Sequence, residues 1–234
     1  MTIDAQRLRA NLSSVRERIE RAAARTGRGP NSVRLVAVTK TVSPETARQL
    51  FALGCVDLAE SRPQQLWEKA SSLPDATWHL IGHLQRNKIA RTLPCAAWLH
   101  SVDSSRLLTA LELAAAGAGL TPRVLLEVNI SGEPAKQGWN PDDLPPALET
   151  MSLGRSFTIE GLMGMAGLQA DESAVHEQFA ALRRLSERVA DSLTPPHGMR
   201  ELSMGMSHDF EIAIEEGATM VRIGSAIFEG CDEI

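Results

Sequence analysis

The 234 residues carry a formal net charge of -5 and 43 % of them are hydrophobic, which supplies a sizeable core for one large domain or two small ones. No long basic run supports a dedicated nucleic-acid binder, and no stretch reaches the roughly 20 apolar residues of a membrane span. Cys55, Cys95 and Cys231 lack a CxxC spacing, which excludes a disulfide framework and argues against zinc, and the charged start MTIDAQRLRANLSSVRERIE is unlike a signal peptide, so a cytoplasmic protein is expected.

Leu8, Leu12, Val15 and Ile19 recur at helical spacing, which predicts an amphipathic helix from about Thr2 to Arg25, ended by Gly27-Arg28-Gly29-Pro30. Val33 to Val38 is a brief, largely β-branched run that reads as a strand buried on both faces and is closed by Lys40. Ser43 and Pro44 then cap and open a helix. The order repeats: Cys55–Ala59 with a helix through Trp67, Trp78–Ile81 with a helix after Lys88, Trp98–Ser101 with a helix from about Ser105 to Ala116. Arg123–Ile130, Ile159–Met165 with a helix from Glu172 to Val189, Arg200–Ser203 with a helix from Ser207 to Glu216, and Met220–Ile223 complete eight strands. That alternation, in a chain close to the ~250 residues usual for the fold, predicts a single-domain (β/α)8 TIM-like barrel of class α/β with an extra N-terminal helix. A doubly wound sheet is the alternative, but Val38-Thr39-Lys40 is not its glycine-rich first turn.

In such a barrel the active face is built by loops after the strands, where Lys40, Glu60, Ser61, His83, Asn87, Asn129, Met165, Ser203, Ser207, Gly224 and Ser225 fall. Lys40 alone reads either as a surface lysine snorkelling from a strand end or as a desolvated amine nucleophile. Ser203-Met204-Gly205-Met206-Ser207 and Gly224-Ser225-Ala226 suit a phosphate held by backbone N–H groups, or are simply tight turns. If Val221 and Ile223 pack outward, strand alternation points Arg222 into the barrel, where a guanidinium needs a partner. Pyridoxal phosphate, with its Schiff base, pyridine nitrogen and phosphate, accounts for Lys40, Arg222 and both loops together. An arginine at the ring nitrogen disfavours its protonation and weakens the ring as an electron sink.

The motifs LVAVTK (Leu35–Lys40), WHLIGHLQRNK (Trp78–Lys88), HSVDS (His100–Ser104), VNISGEPAKQG (Val128–Gly138), EGLMGM (Glu160–Met165) and LSMGMSHDFEIAIEEGATMVRIGSAIFEG (Leu202–Gly230) span nearly the whole chain. On these the chain resembles the YggS/PROSC family of pyridoxal phosphate homeostasis proteins, with the barrel of the alanine racemase N-terminal domain. The resemblance implies that Lys40 carries the cofactor as an internal aldimine, that Arg222 faces the pyridine nitrogen, and that Ser203, Ser207, Gly224 and Ser225 surround the phosphate. It also implies that Lys136 accepts or shuttles cofactor, and that Asn87 and Met165 lie at the site. Where the family reads Gly-Glu-Asn, this chain has Ala59-Glu60-Ser61, so Ser61 replaces an asparagine with a shorter donor. His83 and Asn87 match the family loop and by spacing alone serve equally as cap and packing residues.

The expected function is therefore binding, buffering or delivery of pyridoxal phosphate to apoenzymes by a monomeric, non-catalytic carrier. The alternative is an amino-acid racemase of the same fold, but racemases resembling this barrel use a tyrosine from a second domain, and the chain has no tyrosine. A Schiff-base aldolase acting on a sugar phosphate without cofactor is a third possibility.

Overall fold

Asp4 opens the first helix: its carboxylate accepts from the Gln6 and Arg7 amides, and α1 (Ala5–Arg25) buries Leu8, Leu12, Val15 and Ile19 on one face. The computed structural model describes residues 4–134, 136–151 and 154–231, so the predicted start at Thr2 lies outside the described residues. After α1 come β1 (Arg34–Val38), α2 (Pro44–Ala52), β2 (Asp57–Glu60), α3 (Pro63–Ser72) and β3 (Thr77–Leu80). A 3-10 turn (Arg86–Lys88) leads into α4 (Ile89–Thr92), followed by β4 (Trp98–Val102), α5 (Ser105–Ala118), β5 (Arg123–Val128) and α6 (Leu144–Met151). The chain ends on β6 (Thr158–Gly164), α7 (Glu172–Ala190), β7 (Glu201–Ser203), α8 (Phe210–Glu215), β8 (Met220–Ile223) and α9 (Ser225–Phe228). No helix among the described residues is long and apolar enough to cross a membrane.

The strands pair in parallel in sequence order, and β8 returns to β1 with Arg222 opposite Val36 and Ile223 opposite Ala37, closing the barrel. Closure follows from composition: each strand is too short and too apolar on both faces to leave either in water. Alternation then sorts the side chains. Ala37, Leu58, Leu80, Leu99, Val221 and Ile223 pack outward under the helices, while Val36, Val38, Ala59, Trp98, Leu125, Met163 and Met220 fill the interior. Arg222 shares the inward set, as its flanking Val221 and Ile223 predict.

α1 lies against α8 and α9. Arg18 grips Glu211 through two nitrogens at 2.7 and 3.0 Å, Arg25 meets Glu215 at 2.6 Å, and Asn11 donates to the Ile227 and Glu229 carbonyls at 3.0 and 2.8 Å.

One helix starts later than its sequence suggests. Gly205 has φ +93°, and a Cβ there would meet the Ala213 Cβ at 2.6 Å, so the chain turns sharply after β7. The turn is closed by Asp209, whose carboxylate accepts from the Met206 amide at 2.6 Å, and α8 begins only at Phe210. Ser207 is thus in a turn and not at a helix start.

Candidate functional site

Lys40 stands two residues beyond Val38, in a turn closed by the Val42 amide on the Thr39 carbonyl at 3.1 Å. Its parity is that of Val36 and Val38, the inward set, but its side chain is exposed. Of the two readings of this strand-end lysine, the fold provides the exposed one and not the desolvated amine: the run turns at Thr39 and lifts the lysine clear of the apolar wall. Behind it sits a buried ion pair that the sequence did not signal. Glu60, at the end of β2, accepts from Lys69 of α3 and from the Thr39 hydroxyl, both at 2.6 Å, while Lys69 also donates to the Thr39 carbonyl at 2.7 Å. These bonds tie the Lys40 turn to β2 and α3.

Around the mouth, Gly82 approaches Ser61 so closely that a Cβ would lie 2.1 Å from the Ser61 carbonyl oxygen, which packs the loops after β2 and β3 together. Ser61 is half-buried. Asn87 is exposed in the 3-10 turn, with no hydrogen bond to the other candidate residues, and His83 is exposed beside Asp103 at 3.4 Å. Met165 is half-buried against the interior cluster. Asn129 is spent on its own loop, donating to the Glu133 carbonyl at 2.9 Å. Lys136 bridges the loops after β5 and β6, donating to the Ala166 carbonyl at 2.9 Å and meeting Glu133 at 3.0 Å. The closed strand order puts β5 opposite β1, so the two lysines stand on opposite sides of the mouth.

Arg222 is buried at the top of the interior. Its guanidinium donates from Nη1 to the Ser203 carbonyl at 2.6 Å and the Ser203 hydroxyl at 2.7 Å, and from Nη2 to the Gly164 carbonyl at 3.0 Å. Burial pushes its pKa down to about 10, opposed by Asp209 and Glu127, so it remains a cation at neutral pH. Ser203, expected around the phosphate, is fully buried and engaged by Arg222, which makes it a support of the guanidinium. Ser207 accepts from the Ala226 amide at 3.2 Å, stitching the loop after β7 to the loop after β8. Gly224 lies against Val38, where a Cβ would meet the Val38 carbonyl oxygen at 3.1 Å, and Ser225 is exposed beside it. Lys40, Gly224, Ser225 and Ser207 thus share one edge of the mouth, across the β8–β1 closure.

Two acidic groups act on Arg222. Burial raises the Glu127 carboxyl to about 7, with Asp103 adding to the shift and Arg222 opposing it. Burial likewise raises Asp209, against the lowering effect of the Met206 amide. Beneath Ser203 the interior holds His79 and His100, which sequence reading left within their motifs without a role. Their signal was their parity: each stands at an inward strand position, His79 opposite Ala59 and His100 two residues past Trp98.

A family model described as "Alanine racemase, N-terminal domain" matches residues 3–231. A pyridoxal phosphate homeostasis protein of Pseudomonas aeruginosa is 40 % identical over 225 residues, covering 95 % of each chain. The protein of that name from Homo sapiens is 34 % identical over 231 residues, covering 93 % of this chain and 84 % of its own. Among solved structures, PipY of Synechococcus elongatus with PLP bound superposes with a TM-score of 0.79 at 35 % identity, covering 90 % of this chain and 99 % of its own. An alanine racemase of Clostridium difficile shares the fold, with a TM-score of 0.79 at 13 % identity over 95 % of this chain and 56 % of its own. With its motifs, its barrel and relatives of this similarity along almost its whole length, the chain belongs to the pyridoxal phosphate homeostasis protein family, on the barrel of the alanine racemase N-terminal domain.

Proposed function

We propose that this chain is a single-domain, monomeric carrier of pyridoxal 5'-phosphate in the cytoplasm, holding the cofactor at the mouth of the barrel and releasing it to apoenzymes. The observation that carries the reading is the buried Arg222 cation at the top of the interior, one strand from the Lys40 turn and flanked by the paired loops after β7 and β8. This donor set fits the cofactor: an amine, a fixed guanidinium, and the small-residue turn at Gly224 and Ser225 beside the Ser207 hydroxyl. The names of the relatives and the cofactor bound to PipY point the same way.

When bound, the cofactor supplies an aldehyde that condenses reversibly with a primary amine. Lys40 is the residue for that attachment, its exposure leaving the amine accessible for exchange. Arg222 faces the ring nitrogen as a donor and, being a cation, opposes protonation there. Ser207, Gly224 and Ser225 hold the phosphate, and Ser61, Asn87 and Met165 border the ring. Lys136 is a secondary acceptor on the far rim, once its bonds to Ala166 and Glu133 open.

Holding, not turnover, is the activity these groups support. A ring kept unprotonated by Arg222 is a weak electron sink, and the chain has no tyrosine to act as the second base of a two-base racemase. The test is the visible absorbance of protein reconstituted with the cofactor, followed by borohydride reduction and peptide mapping. A yellow protein labelled on Lys40 is expected, with loss of the covalent label in Lys40→Ala; a label elsewhere would overturn the assignment. Exchange of an amino-acid α-proton in heavy water would overturn the non-catalytic reading.

A further inference from the structure

A line of hydrogen bonds crosses the barrel interior from one end to the other. Arg222 Nη1 donates to Ser203 Oγ at 2.7 Å; Ser203 Oγ lies 2.9 Å from His100 Nδ1; His100 Nε2 lies 2.9 Å from His79 Nδ1; and His79 Nε2 lies 3.0 Å from Asp57 Oδ1. Arg222 is near the C-terminal end of β8, whereas Asp57 is the first residue of β2, at the N-terminal end of the barrel. There, Asp57 borders a surface cleft of about 330 Å³ lined by Arg16, Asn31 and Arg34.

With both rings neutral, counting protons leaves one arrangement. Arg222 only donates, and an ionised Asp57 only accepts. His79 must therefore carry its proton on Nε2, which leaves Nδ1 bare to accept from His100 Nε2–H. The bare Nδ1 of His100 then accepts the Ser203 hydroxyl proton, and the Ser203 lone pairs are left for Arg222. Four contacts are served by four protons, all pointing from Arg222 toward Asp57. With an imidazolium at either ring the His100 Nδ1–H also points at Ser203, whose hydroxyl proton then has no acceptor in the line, so every proton is placed only with both rings neutral. Their surroundings support that state: burial lowers both histidines, and Arg34 from β1, Arg123 from β5 and Arg222 from β8 add positive charge. Asp57 alone pulls the other way, acting on His79.

We propose that Asp57 is a remote positioning residue, setting the tautomer of His79 and through it that of His100, so that the Ser203 oxygen is presented to Arg222 and the guanidinium is held in one orientation. Its consequence for the cofactor rests on the reading of Arg222 as the partner of the ring nitrogen; the tautomers themselves do not.

The test is nitrogen NMR of 15N-histidine-labelled protein, read first without cofactor. In the wild type, three buried rings are expected with Nε2 protonated and Nδ1 bare, unchanged between about pH 6 and 8: His79, His100, and His197, whose tautomer is set separately by the Ile159 amide at 3.2 Å and the Gly154 carbonyl at 2.8 Å and which serves as the internal control. An Nδ1–H form or an imidazolium at His79 or His100 would overturn the proposal without any variant. Asp57→Asn is expected to keep the wild-type tautomers, because an amide oxygen between the His79 N–H and Arg34 is the favoured orientation. Asp57→Leu removes the acceptor, and the Nδ1–H form of His100 is expected in its place. A folded Leu variant with unchanged rings would sink the role of Asp57; Asp57→Ala substitutes for it should the Leu variant fail to fold. Read next with pyridoxal phosphate, Asp57→Leu is expected to bind about fivefold more weakly, with a shifted absorbance maximum, as for one lost hydrogen bond. Wild-type tautomers as stated in a protein that never takes up cofactor would defeat the carrier reading and leave the relay standing.

Discussion

Lys69 and Glu60 form a buried ion pair whose breaking is costly. Both side chains are almost wholly buried, and Glu60 Oε2 has no hydrogen-bond partner, so the carboxylate depends on the ammonium 2.6 Å away. Lys69→Met leaves that charge with little beyond the Thr39 hydroxyl, and a cost of about 3–5 kcal/mol is expected in urea unfolding. Adding Glu60→Gln should recover most of it; a single variant within about 1 kcal/mol of wild type would show that the pair is dispensable.

Glu127 offers a test by pH. Its carboxyl is raised from 4.5 to about 7 by burial, so between those values the folded chain keeps a proton that the unfolded chain has lost. Stability contributed by this group therefore falls as pH rises through that window and levels off above it, by about 3 kcal/mol. Glu127→Gln cannot ionise. Its unfolding free energy should exceed that of the wild type above pH 7 and converge with it near pH 4.5; parallel profiles would contradict this.

Among the elements, α1 packs on the last two helices, α8 and α9. Its apolar stripe covers α8 and α9, and its arginines reach acidic residues of α8 across half-exposed contacts worth little individually. The energy lies in the stripe. Leu12→Ala, at a fully packed position, is expected to cost about 3 kcal/mol in a denaturant titration, against less than about 1 kcal/mol for Arg25→Ala. The element order itself was legible, because strands of three to seven residues alternate with amphipathic segments. The later start of α8 was not, since it depends on Gly205 meeting Ala213, a contact made only once the turn has formed.

At the scale of the whole molecule, ligand binding should appear as stability. At a cofactor concentration about 100-fold above Kd, linkage contributes about 2.7 kcal/mol, which for a chain of this length is a rise in Tm of roughly 5–10 °C. Pyridoxal lacking the phosphate should give a smaller rise, and Lys40→Ala a reduced one carried by the phosphate loops alone. Equal shifts for both ligands would remove those loops from the site.

The sequence by itself determined the barrel, because apolar runs of this length bury both faces only when closed and covered by helices. It determined the inward aim of Arg222 as well, since Val221 and Ile223 must face the helices and alternation does the rest. The family resemblance then joined Lys40 to it. Only the tertiary structure decided that Lys40 is exposed, that Ser203 is buried under Arg222, and that Lys69 and Glu60 form a pair. Each depends on side-chain distances between elements that are far apart in the chain. The line from Asp57 through His79 and His100 belongs to the same class: parity marks each histidine as inward, but the hydrogen bonds between them come from strand register and barrel closure, which no local pattern encodes.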